Sequence, residues 1–189
     1  MKMTYGIVAL IVVGIIAYFL ISRKSNTTEQ PNSVREHQLE QNPYEDLRMQ
    51  AFSVTKEQLE LKGNNKFFGL IMDWELGDAT MTLITFRTGD ASMYLSSGGG
   101  VIGGGQHENV RTAVANYLNS AERYVNSADQ VEHSNLPDTN SVNFYFLTTD
   151  GRFLTTETMV NFENESSKVY ELFNKANNVI TELRLTTER

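Results

Sequence analysis

The amino-acid sequence predicts an α+β domain with a mostly antiparallel sheet, preceded by one N-terminal transmembrane helix. Three features predict this architecture: an uncharged apolar run near the N-terminus, runs rich in β-branched and aromatic residues, and amphipathic helical stretches between and after those runs. The predicted element order of the domain is α-β-β-β-α-β-β-α. Runs of strands interrupted by single helices favour an antiparallel sheet with packed helices over a doubly wound parallel sheet.

The first element is an apolar run over residues 5–21, which read YGIVALIVVGIIAYFLI. As a helix this run spans roughly 26 Å, close to the thickness of a hydrocarbon core. A cleaved signal peptide is the alternative, but it typically ends at a small-residue cleavage site, whereas Arg23 and Lys24 stand at that place here. We therefore predict a transmembrane anchor over residues 1–24 that contacts the membrane through residues 5–21.

The basic residues around the apolar run predict its orientation. Lys2 precedes the run, whereas Arg23, Lys24 and Arg35 follow it. Because the side of a membrane span with more basic residues tends to face the cytoplasm, we expect the C-terminal domain to be cytoplasmic. The predicted location of the chain is the cell membrane, as a single-pass protein.

A polar stretch separates the anchor from the domain. Residues 25–41 contain Pro31 and almost no large apolar side chains, which is typical of a flexible linker. The soluble α+β domain is assigned to residues 42–189. Its roughly 145 residues are enough to bury a core without disulfides or metals.

The domain opens with signals for the start of a helix. Asn42 can cap the first turn, Pro43 suits the first helical position, and Glu45 completes the spacing of a capping box. Thr55 and Gln58 repeat the capping-box spacing, which predicts a second short helical turn.

Five strands and two long helices complete the domain. Apolar residues recur at helical spacing over residues 108–128 and 165–183, and Glu171 with Lys175 supplies an i,i+4 pair on the second of these helices. The strands are predicted over residues 67–75, 80–86, 91–96, 142–148 and 152–160, the last two forming a hairpin around Asp150-Gly151.

Composition excludes several classes of function. The chain has no cysteine, which excludes disulfides, thiolate catalysis and cysteine-based zinc sites. The formal net charge of −7 argues against nucleic acid as a partner, because phosphate backbones are bound by basic surfaces.

The sequence contains no convincing catalytic or metal-binding set. His107 and His133 lie at opposite ends of one predicted helix, too far apart to share a metal ion, so neither a metal site nor a cofactor is predicted. His107 beside Glu108 is the best acid–base pair, but an isolated His-Glu at a helix start is more often a surface feature, and no catalytic residue is assigned. Asp73 alternates with apolar neighbours, as expected on the exposed polar face of a strand.

The most unusual segment lies between the third strand and the next helix and holds six glycines. Gly98, Gly100 and Gly103 satisfy G-x-G-x-x-G, but the parallel β-α-β unit of a dinucleotide site and the G-K-[ST] of a Walker loop are both missing. Free amides at a helix start favour an anion, whereas glycines also let a backbone turn tightly. The candidate binding residues are Gly98, Gly99, Gly100, Gly103, Gly104, Gly105 and His107.

The same region carries a family resemblance. Residues 89–96 (GDASMYLS), 98–105 (GGGVIGGG) and 110–113 (VRTA) resemble a family of small uncharacterised bacterial proteins that pair a "DG-T-x-S-L-Y" hairpin with a "GGG-x-I-G-x-G" loop. The resemblance covers about residues 47–150, with Asp90 displaced from the usual Asp-Gly order, and implies domain boundaries but no activity. The element order is also similar to that of secretion-chaperone and roadblock or profilin-like regulatory domains, an analogy of fold alone.

Two functions are expected from these patterns. The first is a non-enzymatic, membrane-tethered domain that binds or regulates a protein partner through its sheet or its glycine-rich segment. The alternative is a nucleotide- or anion-binding domain that uses residues 98–105.

Overall fold

A computed structural model describes residues 43–187 of the chain. This part is an α+β fold of one seven-stranded antiparallel sheet and four α-helices, which confirms the predicted fold class of the domain. The strands are β1 Phe67–Glu75, β2 Thr80–Phe86, β3 Ala91–Leu95, β4 Gly100–Val101, β5 Asp129–Val131, β6 Ser141–Thr148 and β7 Gly151–Thr158. The helices are α1 Tyr44–Ser53, α2 Glu108–Ala121, α3 Met159–Glu163 and α4 Tyr170–Leu185.

The sheet has the order β4-β3-β2-β1-β6-β7-β5, and every pair of neighbouring strands is antiparallel. β1 lies at the centre, where Met72 faces Leu83 of β2 and Phe144 of β6. The hairpin between β6 and β7 turns at Thr148 and Gly151, as the Asp150-Gly151 pair predicts.

Both faces of the sheet carry helices. Because side chains alternate along a strand, Leu70 and Met72 point into the larger core that α2 and α4 cover, whereas Ile71 points into a second core that α1 covers. The same alternation places Phe144 and Phe146 in the larger core and Tyr145 in the second. All three aromatic side chains of β6 are buried.

Several short elements depart from the predicted order. The sequence does not predict β4, β5 or α3, each of which is too short to show a periodic pattern. The predicted helix over residues 108–128 is α-helical only to Ala121 and continues as the 3₁₀ helix Glu122–Ser127. The last helix begins at Tyr170 and not at residue 165, because Glu165 has a left-handed φ of 53° and Ser167 accepts the amide of Val169 at 3.1 Å.

Two predicted local pairs are confirmed. The amide of Thr55 donates to Gln58 Oε1 at 2.9 Å, and the amide of Gln58 donates to Thr55 Oγ1 at 3.3 Å, as in a capping box. On α4, Lys175 Nζ lies 3.7 Å from Glu171 Oε1. The predicted cap Asn42 lies outside the described residues.

The predicted anchor, residues 1–24, and the predicted linker, residues 25–41, also lie outside the described part of the chain. Within residues 43–187, no helix is both long enough and apolar enough to cross a bilayer.

Candidate functional site

The glycine-rich segment forms a loop that joins β3 to α2 through the short strand β4. Gly100 pairs with Tyr94 in the ladder, and a Cβ at Gly100 would overlap the carbonyl oxygen of Met93. The φ values of 154° at Gly100 and 73° at Gly103 lie where glycine is favoured. Glycine at these two positions therefore has a structural reason.

The end of this loop packs against the core. A Cβ at Gly104 would overlap the side chain of Leu183 on α4, and a Cβ at Gly105 would overlap the carboxylate of Asp90. Burial raises the pKa of Asp90, and a hydrogen bond from the Gly105 amide partly opposes this shift. The Asp90 carboxylate therefore already accepts the hydrogen bond of the Gly105 amide, which an anionic ligand at this place would need.

The structure brings the seven predicted binding residues onto one loop. His107 is exposed at the start of α2. Amides of the loop donate to protein groups: Gly98 to the Leu95 carbonyl at 2.9 Å, Gly103 to Ser92 Oγ at 3.2 Å, and His107 to the Gly104 carbonyl at 3.0 Å. Anion binding by this loop stays a prediction.

A second candidate site lies on the opposite face of the sheet, where Asp73 of β1 is fully buried. The expectation that Asp73 lies on an exposed face is wrong, because α1 covers this part of the sheet. The guanidinium of Arg48 on α1 donates two hydrogen bonds to Asp73 Oδ2, from Nη2 at 2.5 Å and from Nε at 3.1 Å. Thr82 of β2 donates to Asp73 Oδ1 at 2.5 Å and accepts in turn from the hydroxyl of Tyr44 at 2.8 Å.

Arg48 also fixes the loop between β5 and β6. Its Nη1 donates to the carbonyl oxygen of Ser134 at 2.8 Å, and its Nη2 donates to that of Asn135 at 3.3 Å. The hydroxyl of Tyr145 donates to the same Asn135 oxygen at 2.5 Å. Burial lowers the pKa of Arg48, but the hydrogen bond and charge of Asp73 outweigh burial and raise it. Arg48 is therefore a permanent cation that joins α1, the sheet and this loop.

Tyr44, Arg48 and Ser134 line one of two neighbouring cavities along α1, and the two cavities together are here called the α1 groove. The end near the start of α1 has a volume of about 440 Å³ and the end beyond Ser53 a volume of about 390 Å³. Phe52, Ser53 and Arg152 line both ends. Two large apolar side chains on its walls are exposed, Met49 at 64% and Leu136 at 47%.

Aromatic and cationic groups meet at the centre of the α1 groove. The guanidinium carbon of Arg48 lies 4.8 Å from the ring centroid of Phe52, and that of Arg152 lies 5.6 Å from the same centroid. The ring of Phe52 also packs edge-on against Tyr145, with 5.0 Å between centroids. Phe52 is therefore held from several sides and orients both arginines.

The sequence contains a signal for this groove, although no known motif covers it. Tyr44, Arg48 and Phe52 are spaced four residues apart, so that they share one face of α1. A cation on the otherwise apolar face of a helix indicates a buried carboxylate as its partner. The sequence alone does not identify Asp73 as that carboxylate, because the contact joins residues 25 positions apart.

Metal chemistry has no candidate in the described part of the chain, since no cluster of three or more His, Asp or Glu side chains between residues 43 and 187 could hold an ion. No protein-family model, no curated protein and no solved structure matches the chain. The geometry of the loop and of the α1 groove is therefore the basis for a functional assignment.

Proposed function

We propose that the chain is a membrane-tethered, non-enzymatic module whose cytoplasmic domain binds a segment of a partner protein in the α1 groove. The observation that carries this proposal is the groove itself. Two exposed apolar side chains, Met49 and Leu136, line the end of the groove near the start of α1, together with a rigid aromatic and cationic centre. Protein interfaces are commonly built from such aromatic and arginine anchors with apolar neighbours.

The arrangement of the groove supports a binding role over a catalytic one. Arg48 is neutralised by Asp73 and held by two backbone carbonyls, so that its position is fixed before any partner arrives. A preformed site loses less conformational entropy when a partner binds. The adjoining side chains offer contact area and no nucleophile paired with a base.

Photo-crosslinking in cells tests the proposal on the full-length chain. A photoreactive amino acid is placed at Met49 or Leu136 in the groove, and at Ile102 or Val160 as controls, since these two side chains are also exposed. We expect the same partner protein to be captured from both groove positions and from neither control. Capture at Ile102 alone would move the binding site to the glycine-rich loop and contradict the proposal.

The alternative function, nucleotide or anion binding by residues 98–105, has one observation in its favour. A Cβ added at Gly98, Gly99 or Gly103 would meet no atom within 4 Å, which leaves space for a ligand to approach. The Asp90 carboxylate near Gly105 opposes an anion there. A thermal-shift screen of the chain with nucleotides and inorganic phosphate tests it, and an increase in melting temperature that Gly99→Val removes would favour the alternative.

A further inference from the structure

The charge at the centre of the α1 groove is unbalanced. Arg152 makes no ion pair with any residue of the described chain, although six other cations in that part do. Its Nη1 approaches the Glu132 carbonyl oxygen only at 3.5 Å, which is long for a hydrogen bond. The described cations Lys62, Lys168 and Arg184 also lack an ion pair, but they are exposed. Lys56 is partly buried and lacks an ion pair too, but its Nζ donates to the carbonyl oxygens of Gly63 and Asn65 at 2.7 and 2.8 Å. Arg152 is therefore the partly buried guanidinium of the described chain that has no ion pair.

Phe52 holds Arg152 in place for a ligand. A guanidinium that stacks on an aromatic ring keeps its N–H groups directed outward in the plane of the fork, where a carboxylate can accept two of them. Arg48 stacks on the same ring but already binds Asp73. Of the two stacked arginines, Arg152 is therefore the one with capacity for an external carboxylate.

The remainder of the groove restricts the ligand further. Glu45 lines the end near the start of α1, and Glu57 lines the other end together with Lys56. Further negative charges on a ligand would be repelled by Glu45, whereas one carboxylate at the centre would meet Arg152. Met49 and Leu136 line the same end of the groove as Glu45 and offer apolar contact there.

We infer that the α1 groove selects a peptide segment with a single Asp or Glu beside a large apolar residue, and that Arg152 determines this specificity by binding the carboxylate. The inference rests on the proposed function and names the chemistry of the partner. Its physical basis is charge complementarity between one unpaired, partly buried guanidinium and one carboxylate, with Glu45 disfavouring polyacidic segments.

Fluorescence anisotropy on the full-length chain in detergent micelles tests the inference with four labelled nonapeptides. All four carry Leu and Phe around the centre, and the central residues are one Glu, one Gln, one Lys or three Glu. We expect the single-Glu peptide to bind about tenfold more tightly than the Gln peptide, a difference of about 1.4 kcal/mol. The Lys and triple-Glu peptides should bind more weakly than the single-Glu peptide.

Variants of the chain assign the effect to Arg152. Arg152→Gln should remove the preference for Glu over Gln, whereas Arg123→Gln, which removes a guanidinium that pairs with Glu171 elsewhere on the surface, should leave it intact. Circular dichroism checks that both variants fold. Equal affinity for the Glu and Gln peptides, or a preference that survives Arg152→Gln, overturns the inference and leaves the proposed function standing. Failure of every peptide to bind, together with no crosslinked partner at Met49, overturns both.

Discussion

At the scale of single residues, loss of one member of the ion pair between Asp73 and Arg48 is expected to have the largest electrostatic effect on stability. Asp73 is fully buried, and the Arg48 side chain is 11% exposed. A buried ion pair adds little net stability over an apolar pair of similar volume, but removal of one partner leaves an uncompensated charge in the core. The pair therefore makes the attachment of α1 to the sheet specific.

A double-mutant cycle measures the contribution of this ion pair. Arg48→Met should lower the free energy of unfolding by about 3–5 kcal/mol, because it leaves Asp73 buried with Thr82 as its remaining side-chain donor. The double variant Arg48→Met with Asp73→Leu should lose much less than the sum of the two single variants. Urea unfolding monitored by circular dichroism measures all three. A loss below about 1 kcal/mol for Arg48→Met would show that Asp73 is not buried as a charged group.

Two buried tyrosines give a second prediction. Within the described chain the hydroxyl of Tyr117 on α2 has no hydrogen-bond partner, and burial raises the pKa of Tyr117 well above its usual value. Tyr117→Phe removes a buried unpaired polar group and should stabilise the protein by about 1–3 kcal/mol. Tyr145→Phe is the matched control and should destabilise it by about 0.5–1.5 kcal/mol, since the Tyr145 hydroxyl donates to Asn135.

Chemical denaturation of the two phenylalanine variants under the same conditions compares them directly. The predicted changes in the free energy of unfolding have opposite signs, although both substitutions remove a tyrosine hydroxyl. Equal destabilisation by both would mean that the Tyr117 hydroxyl has a partner in solution.

At the scale of elements, the glycine-rich loop packs between β3, α2 and α4. Gly104 is buried against Leu183 and Val110, both of which are fully buried. Gly104→Ala should therefore destabilise the protein by about 1–3 kcal/mol through overpacking. Adding Leu183→Val, which shortens the side chain that the new Cβ overlaps, should recover part of this loss, as measured by thermal unfolding.

The control for this prediction is Leu183→Val alone. If the double variant loses the sum of the two single losses, the overlap between positions 104 and 183 is not the cause. A non-additive result would locate the effect in the contact between the loop and α4.

Local patterns account for how much of this architecture could be predicted. The long strands β1, β2 and β6 are predicted because they are rich in β-branched and aromatic residues, and the helix α2 is predicted because its apolar residues recur at helical spacing. Residues 104 and 105 could not be identified as packing positions, because their neighbours Leu183 and Asp90 come from α4 and from the β2–β3 turn. The candidate loop residues were predicted from glycine content, whereas the α1 groove was missed because its contacts join distant segments.

At the scale of the whole molecule, one sheet separates two cores. The larger core lies under α2 and α4, and the second lies under α1. β1, β2 and β6 contribute alternate side chains to both, so that no central strand belongs to one core alone. This arrangement couples the helix that lines the α1 groove to the helices on the other face.

Neighbouring residues of β1 test this coupling. Leu70 points into the larger core and Ile71 into the second, and both are fully buried. Leu70→Ala and Ile71→Ala should each lower the free energy of unfolding by about 2–5 kcal/mol, because each leaves a cavity in a packed core. Both variants should still unfold in one transition with the same dependence on urea, since the two cores share their strands.

Two spectroscopic probes distinguish a single transition from separate ones. Tryptophan fluorescence reports on Trp74, which packs edge-on against Phe173 of α4 at 5.0 Å in the larger core, whereas far-ultraviolet circular dichroism reports on all helices and strands. In Ile71→Ala the two signals should change at the same urea concentration. An earlier loss of circular dichroism with unchanged fluorescence would mean that α1 detaches alone, and that the groove can open without unfolding the sheet. Coincident curves would mean that the groove exists only while the entire domain is folded.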